Sequence, residues 1–191
     1  MCKIGQIYTC LIAVLALTVF LVVLPGCESQ SQDKAKAEQA EKMKTAGRRI
    51  IEEAWNKGNF DVLDEFLAAD YVYHIPPLPD VKGIEAYKQR IKEYRSAYPD
   101  LQITINEIIV EGDISALRWT LKGTHTGQFP SIPIPPTGKQ VEFTGCDLAY
   151  WKDGKIVEDW NHADFLGYMQ QLGFKLIPPQ KEEKEKKEEE K

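Results

Sequence analysis

The feature that most limits the fold of this chain is a change of hydrophobic period near Asp100. Before that residue, large apolar side chains recur at steps of three and four, which is the spacing of one buried helix face. They are Ile84, Tyr87, Ile91, Tyr94 and Tyr98. After it, Leu101, Ile103 and Ile105 alternate with polar residues, as in a strand with one buried face. The chain therefore predicts helices first and a sheet afterwards.

Two more helices are predicted upstream. The first extends from Met43 to Trp55 and ends near the sequence Lys57-Gly58-Asn59. The second is short and takes Asp61 as its N-cap. Its apolar face consists of Val62, Leu63, Phe66 and Leu67. Residues 71–74 are predicted to be extended, and the proline-rich loop that follows at 76–79 cannot be helical.

Strands and turns dominate the second half of the chain. Strands are predicted at 114–126, 141–151 and 156–160, and Asp153-Gly154 is typical of a hairpin turn. A terminal helix over 163–172 is closed by Gly173. This order predicts an α+β domain with its helices packed on one face of a curved antiparallel sheet. Such a sheet forms a cone and leaves an apolar cavity at its open end.

The N-terminus carries a targeting segment. An apolar run from Leu11 to Leu24 follows Lys3 and is too short to span a bilayer comfortably. It ends in Leu24-Pro25-Gly26-Cys27, which resembles a bacterial lipobox, where the cysteine is lipidated and becomes the first residue after cleavage. We expect a signal peptide over 1–26 and a membrane anchor on Cys27, with an uncleaved signal anchor as the alternative. The lipid would hold the protein in the bacterial cell envelope, facing the periplasm or the exterior.

Composition divides the rest of the chain into three parts. Residues 27–44 are rich in Ser, Gln, Lys, Ala and Glu and predict a solvated tether. In residues 180–191 every residue after Gln180 is Lys or Glu, and this composition predicts a disordered tail. One domain is expected between them, over 45–179. Because Cys146 is the cysteine left after processing, no intrachain disulfide is possible and the domain depends on its apolar core.

Charge and missing motifs exclude several functions. The net charge is −5 and no basic stripe is present, which argues against nucleic-acid binding. The sequence lacks glycine-rich phosphate loops, Gly-x-Ser-x-Gly, His-Glu-x-x-His and paired Cys-x-x-Cys motifs. Its three histidines, His74, His125 and His162, are not at the spacing of two ligands on one helix face. We therefore expect no metal site.

The densest polar cluster extends over residues 158–164, where a predicted strand enters the last helix. Strand alternation places Glu158 and Trp160 on one face and Asp159 and Asn161 on the other, so that only one pair points inward. Asp164 has two interpretations. It is either the N-cap of the terminal helix or a carboxylate whose pKa is raised at the rim of the cavity, where it acts as a general base.

Several segments, in this order, resemble the SnoaL-like polyketide cyclase family, whose members are also called ester cyclases. They are Tyr71–His74, Tyr98–Leu101, Gly123–Phe129, Pro135–Lys139, Asp153–Trp160 and Gln170–Gly173. The resemblance covers about residues 46–174. It implies the α+β cone of the nuclear-transport-factor-two-like superfamily as a single domain.

The resemblance also implies a chemistry. Characterised cyclases of this family close a ring by intramolecular aldol condensation without metal or cofactor, through an acid/base aspartate in a Trp-x-x-x-Asp stretch. Counted from Trp160, the matching residue is Asp164. We expect Asp164 and His74 to be catalytic. The expected ligand-binding residues are Tyr71, His125, Phe129, Trp160 and Asn161.

Two functions of different classes stay open. The first is a cofactor-free lyase or isomerase acting on a small carbonyl compound. The second is a lipid-tethered domain that binds a small apolar ligand without turning it over. In either case we expect a homodimer formed through the exposed sheet face, to which Leu117, Trp119 and Leu121 contribute apolar side chains.

Overall fold

A computed structural model of the protein describes residues 26–129 and 134–177, with side chains described from residue 30 onward. The predicted signal peptide up to Pro25, the side chain of Cys27 and the charged tail lie outside the described residues. The chain divides into two units, Met1–Glu41 and Lys42–Lys191. Within the described part of the first unit the chain is helical. None of the helices described is both long and apolar enough to cross a membrane.

The first described helix, α1, extends over Gly26–Arg49 and continues with π-helical spacing over Ile50–Lys57. The segment predicted as a tether is thus helical, because Ala, Glu, Lys and Gln are strong helix formers. Gly58 ends the helix in the left-handed conformation, with a φ of 78°. Arg95 Nη1 donates to the carbonyl oxygens of Trp55 and Asn56, each at 2.6 Å. These bonds satisfy acceptors that the end of a helix leaves without partners.

The next helix, α2, spans Asp61–Phe66 and corrects two expectations. Asp61 is its first residue rather than its N-cap, and the Asp61 backbone N–H donates to Asn59 Oδ1 at 3.3 Å. Leu67 does not belong to the helical face, because it begins the first strand. The third helix, α3, spans Ile84–Ala97 and buries Tyr87, Ile91 and Tyr94, as the sequence predicts.

Six strands, β1 to β6 in chain order, have the bounds Leu67–His74, Val81–Lys82, Gln102–Glu111, Ile114–Thr124, Gln140–Lys152 and Lys155–Ala163. They form one sheet in the order β2-β1-β6-β5-β4-β3. Neighbouring strands are antiparallel except β1 and β6, which are parallel. The predicted hairpin turn at Asp153-Gly154 is confirmed, since both residues have positive φ, at 50° and 77°. The last helix, α4, spans Phe165–Leu172.

The inner face of the sheet packs on the helices and forms the core. Leu117, Trp119 and Leu121 are 9%, 6% and 2% exposed, so they face the helices and not solvent. The expectation that these three side chains supply a dimer surface is therefore wrong. Side chains alternate between the two faces along β4, and the exposed ones are the polar neighbours Arg118 and Lys122. The α+β architecture itself is confirmed, with N-terminal helices against a curved six-stranded sheet.

A missing side chain on β5 makes room for Trp119. Gly145 pairs with Trp119 across β4 and β5, and a β-carbon at Gly145 would lie 2.2 Å from Trp119 Cζ2. The indole therefore lies directly over the backbone of the neighbouring strand. Its edge contacts Phe143, with ring centroids 5.7 Å apart. Trp119 is fixed in this way in the wall of the cavity described below.

Candidate active site

A narrow aromatic cavity lies between the helices and the inner face of the sheet. Its volume is about 450 Å³ when the space open to solvent is included, and a water-sized sphere fits only a small part of it. Half of its described lining residues are aromatic. The wall includes Trp55, Tyr73, Tyr87, Tyr94, Trp119 and Phe143. Cavities with apolar walls and few polar groups are the usual form of a small-molecule site.

Two polar side chains, Asp147 and Asn161, face each other in the cavity. They occupy opposite positions on β5 and β6, and Asn161 Nδ2 donates to Asp147 Oδ1 at 2.6 Å. Among the described lining residues, Asp147 is the one that carries a carboxylate. The contact orients this carboxylate toward the cavity.

The surroundings of Asp147 change its acidity. Removal from water disfavours the charged form and raises the pKa of Asp147 from 3.8 to about 7. The Asn161 amide and the Trp119 indole favour the charged form and oppose part of this rise. A carboxylate with a pKa near 7 can both accept and return a proton at neutral pH, which is what general acid/base catalysis requires.

A second carboxyl, Asp159, lies behind the first. It is 9% exposed, Tyr71 Oη donates to its Oδ2 at 3.5 Å, and its Oδ1 has no hydrogen-bond partner among the described residues. Burial and the charge of Asp147 raise the pKa of Asp159 well above its usual range. Because the charge on either carboxyl disfavours ionisation of the other, the buried Asp159 and the half-buried Asp147 do not readily ionise together.

Of the residues that the sequence predicts for the site, Asn161 lines the cavity and Tyr71 lies close behind it. The alternation predicted for β6 is confirmed, since Asp159 and Asn161 are buried while Glu158 and Trp160 are partly exposed. Tyr71 reaches the site through its bond to Asp159. Its ring packs against Tyr87 with centroids 5.2 Å apart.

His74 and Trp160 lie on the opposite face of the sheet from Asn161. Their rings stack with centroids 4.0 Å apart and planes at 20°. His74 Nδ1 is 2.8 Å from Asp80, and its Nε2 is 3.2 Å from Glu158. Trp160 Nε1 donates to the same Glu158 at 2.7 Å. These contacts form a cluster on the outer face, and the structure does not bring its members to the cavity.

His125 and Phe129 are buried beside the cavity but are not among its described lining residues. His125 stacks on Tyr98 with centroids 5.1 Å apart, and burial lowers its pKa. The Thr137 backbone N–H donates to His125 Nδ1 at 3.4 Å. Phe129 meets Tyr94 edge to face, with centroids 4.8 Å apart. Both residues thus contact aromatic neighbours that are themselves near the cavity.

Asp164 lies at the N-terminus of α4. It is exposed, and its Oδ1 accepts the backbone N–H of Gly167 at 2.8 Å. This is the N-cap that one interpretation of the sequence predicts. Asp164 is not among the described residues lining the cavity. Its catalytic role stays a prediction from the resemblance.

Asp147 was not predicted as a site residue from the sequence. A regular hairpin around Asp153-Gly154 would place Trp160 opposite Asp147. A bulge between Tyr150 and Trp151 shifts the register by one residue and places Asn161 there instead. The one available signal was a charged residue at an inward position of an otherwise apolar strand, since Phe143, Ala149 and Trp151 share its face.

Comparison with known proteins identifies a family. The model of the family described as SnoaL-like polyketide cyclase matches residues 45–172. Two enzymes are similar in sequence. The aklanonic acid methyl ester cyclase DnrD of Streptomyces peucetius is 28% identical over 130 residues, which cover 66% of this chain and 87% of the enzyme. The nogalonic acid methyl ester cyclase of Streptomyces nogalater is 28% identical over 126 residues, which cover 63% and 90%.

Solved structures are similar over the same part of the chain. TsrD from Streptomyces laurentii superposes with a TM-score of 0.62 at 28% identity, covering 70% of this chain and 96% of TsrD. A SnoaL-like protein from Jannaschia sp. CCS1 gives a TM-score of 0.64 at 23% identity, covering 73% and 94%. At 23% identity, the similarity to the Jannaschia protein supports the fold alone.

The burial of Asp147 predicts a pH-dependent loss of stability. The unfolded chain releases this proton near pH 4 and the folded chain near pH 7. As the pH rises from 4 to 7, Asp147 therefore lowers the free energy of unfolding. We expect Asp147→Asn to unfold at the same free energy as the wild type near pH 4. Above pH 7 we expect the variant to be more stable by about 2–4 kcal/mol. Urea unfolding measured across this pH range tests the difference.

Asp164→Asn is the matched control, because Asn also caps a helix and Asp164 is exposed. It should not show the gain in stability above pH 7 that we expect of Asp147→Asn. A constant difference between Asp147→Asn and the wild type would contradict the burial argument.

Proposed function

The chain belongs to the SnoaL-like polyketide cyclase family, and from that membership we propose that its domain cyclises or isomerises a small carbonyl compound by cofactor-free acid/base catalysis. Asp147 is the proton-transfer group of this proposal. The observation that carries it is a single carboxyl in the described wall of an aromatic cavity, with its pKa raised to about 7. The curated relatives are cyclases of methyl esters, which supports a substrate rich in carbonyl groups.

The proposed reaction needs no group beyond the chain and the substrate. Asp147 takes a proton from a carbon next to a carbonyl, so that a C–H bond breaks, an O–H bond forms and the electron pair becomes an enolate. The enolate carbon attacks a second carbonyl of the same molecule and forms the new C–C bond. Asp147 then returns its proton to the resulting alkoxide. The aromatic walls hold the chain of the substrate folded, which brings the two reacting carbons together.

Asn161 and Asp159 support the base in this proposal. Asn161 orients the carboxylate from the opposite strand at 2.6 Å. Asp159 stays protonated and adds no charge to the site, so the cavity carries one negative charge during the reaction. Asp164 is the rival base that the resemblance implies. Because Asn preserves a helix cap, the two candidates are separable by the same conservative substitution.

A ligand-binding domain without turnover is the second candidate function. The lipobox-like Leu24-Pro25-Gly26-Cys27 favours it, since a tethered protein outside the cytoplasm meets few activated intermediates. In both cases we propose lipidation of Cys27 and attachment to the bacterial cell envelope. The same cavity would hold the ligand, and Asp147 would then select it by hydrogen bonding.

We propose a homodimer formed through the outer face of the sheet, at residues other than those first expected. The register places Ile109, Ala116, Leu148 and Trp160 next to one another across β3, β4, β5 and β6. Ile114 and Tyr150 form the adjacent row. Ile109 and Ile114 are 57% and 38% exposed, which is high for large apolar side chains in a sheet. We call these six residues the outer strip, and pairing two copies would remove it from water.

Deuterium exchange tests the catalytic proposal. The wild-type chain is incubated in deuterated buffer with a panel of small ketones and β-keto esters, and exchange is followed by NMR. We expect Asp147→Asn to lose at least about 100-fold in exchange rate, since general-base contributions reach that size. Asp164→Asn should retain the wild-type rate. The rate should rise with pH through about 7, as Asp147 ionises.

The opposite pattern, in which Asp164→Asn loses activity and Asp147→Asn keeps it, would transfer the role to Asp164. Wild-type exchange at the level of buffer alone would reject catalysis on these substrates and favour the binding function.

Light scattering on residues 28–180 tests the dimer. We expect twice the mass of one chain, and Leu148→Glu should shift it to a single chain because a charge would be buried in the outer strip. Gln89→Glu on the exposed side of α3 is the control and should stay dimeric. A wild-type mass of one chain at high concentration would rule out the pairing.

Lipidation is tested by expressing the full-length chain in a bacterium that processes lipoproteins. We expect the processed protein in the detergent phase. Its mass should equal that of a chain that begins at Cys27 plus the attached lipid. Cys27→Ser should move it out of that phase. A wild-type protein that keeps residues 1–26 would instead support the uncleaved signal anchor.

A further inference from the structure

An enolate formed at Asp147 needs a hydrogen-bond donor at its oxygen. The cavity contains a tyrosine hydroxyl that has no part in the proposed proton transfer. This inference rests on the proposed function and concerns the hydroxyl of Tyr73. Tyr73 lies on β1 directly beside Asp159 of β6, and it lines the same cavity as Asp147 and Asn161.

The Tyr73 ring is held in place by its neighbours. The side chain is 4% exposed, and its ring packs against Tyr87 with centroids 5.0 Å apart and planes at 59°. Tyr87 is fixed in turn by Trp55, whose Nε1 donates to Tyr87 Oη at 3.1 Å. A ring fixed in this way presents its hydroxyl at a constant position, which an oxyanion donor requires.

The Tyr73 hydroxyl is available, whereas its buried neighbours are engaged. Tyr71 donates to Asp159, Tyr87 accepts from Trp55, and Tyr98 and Tyr168 share a hydrogen bond of 2.7 Å. No group in the described part of the chain makes a hydrogen bond with Tyr73 Oη, and this oxygen is not among the buried atoms without partners. It therefore opens onto the cavity.

Tyr73 lines the same cavity as the proposed base. Among the charged groups that act on its hydroxyl, Asp147 has the largest effect, ahead of Asp159. Burial raises the pKa of Tyr73 well above its usual range, so the hydroxyl keeps its hydrogen throughout the working pH range. A neutral O–H next to a carboxylate is the pairing of donor and base that enolate formation uses.

We propose that the Tyr73 hydroxyl donates a hydrogen bond to the carbonyl oxygen of the substrate and to the enolate oxygen that replaces it. The donor gives no proton away. The one proton transferred passes from the substrate carbon to Asp147 and back to the product oxygen. Tyr73 is then a catalytic residue, because it contacts the atom on which negative charge develops.

Tyr98 provides a control outside the cavity wall. It is also a buried tyrosine, but its hydroxyl shares a hydrogen bond with Tyr168 and it is not among the described residues that line the cavity. Tyr73→Phe and Tyr98→Phe each remove one hydroxyl and keep the ring. Only the first of these hydroxyls belongs to the described cavity wall.

Binding of 4-nitrophenol, followed by visible absorbance near pH 6, tests the proposal without any turnover. Its planar ring and oxygen imitate an enolate. We expect Tyr73→Phe to bind about tenfold or more weakly than the wild type and Tyr98→Phe within twofold. In exchange assays Tyr73→Phe should lower the rate constant at saturation about 100-fold, with little change in the half-saturating concentration. The absorbance maximum of phenolate bound to the wild type should also shift to shorter wavelength, which reports a donated hydrogen bond.

Equal binding by Tyr73→Phe and the wild type would overturn the assignment, and so would a wild-type protein that does not bind the phenol. A comparable loss in Tyr98→Phe would also overturn it. Tyr73-dependent binding without any wild-type exchange would support the donor and reject the proposed catalysis. Asp147-dependent exchange that is unchanged in Tyr73→Phe would support the catalysis and reject the donor.

Discussion

The polar part of the cavity depends on one extra residue in the β5–β6 hairpin. The bulge between Tyr150 and Trp151 shifts the pairing so that Asp147 meets Asn161. Because partners on neighbouring strands point to the same face, this shift decides which half of β6 is turned inward. With the regular register, Glu158 and Trp160 would share the face of Asp147, and Asn161 would point to solvent. The candidate base would then lose the amide that orients it.

Placing the buried Asp159 and the half-buried Asp147 in an aromatic interior opposes folding. The domain compensates with closely packed rings and not with disulfides. Trp55 meets Tyr87 and Tyr94 edge to face at 6.3 and 5.5 Å, and Tyr94 meets Phe129 in the same way. These contacts surround the cavity without filling it. The result is a site in which the pKa values of both carboxyls are raised.

The sequence predicted the architecture well, because periodicity reports directly which faces are buried. The steps of three and four in α3, the hairpin at Asp153-Gly154 and the separation of Glu158 and Trp160 from Asp159 and Asn161 on β6 all follow from local spacing. The two-residue strand β2 was missed because it has too few residues to show any period. Asp147 was missed because its partner is set by a bulge, which depends on tertiary packing. Leu117, Trp119 and Leu121 were placed on the wrong face because an apolar alternation does not say which side of the sheet the helices cover.

Gly145 has a consequence for how such a cavity can change during evolution. The indole of Trp119 lies where the side chain of residue 145 would be, so any larger residue there would push the ring toward the cavity. Residue 145 is not among the described residues that line it. Residue 145 thus affects the size of the ligand that fits, although it lies beneath Trp119 and is not among the described lining residues. Related chains could acquire new substrates by exchanging this one glycine while every contact residue stays the same.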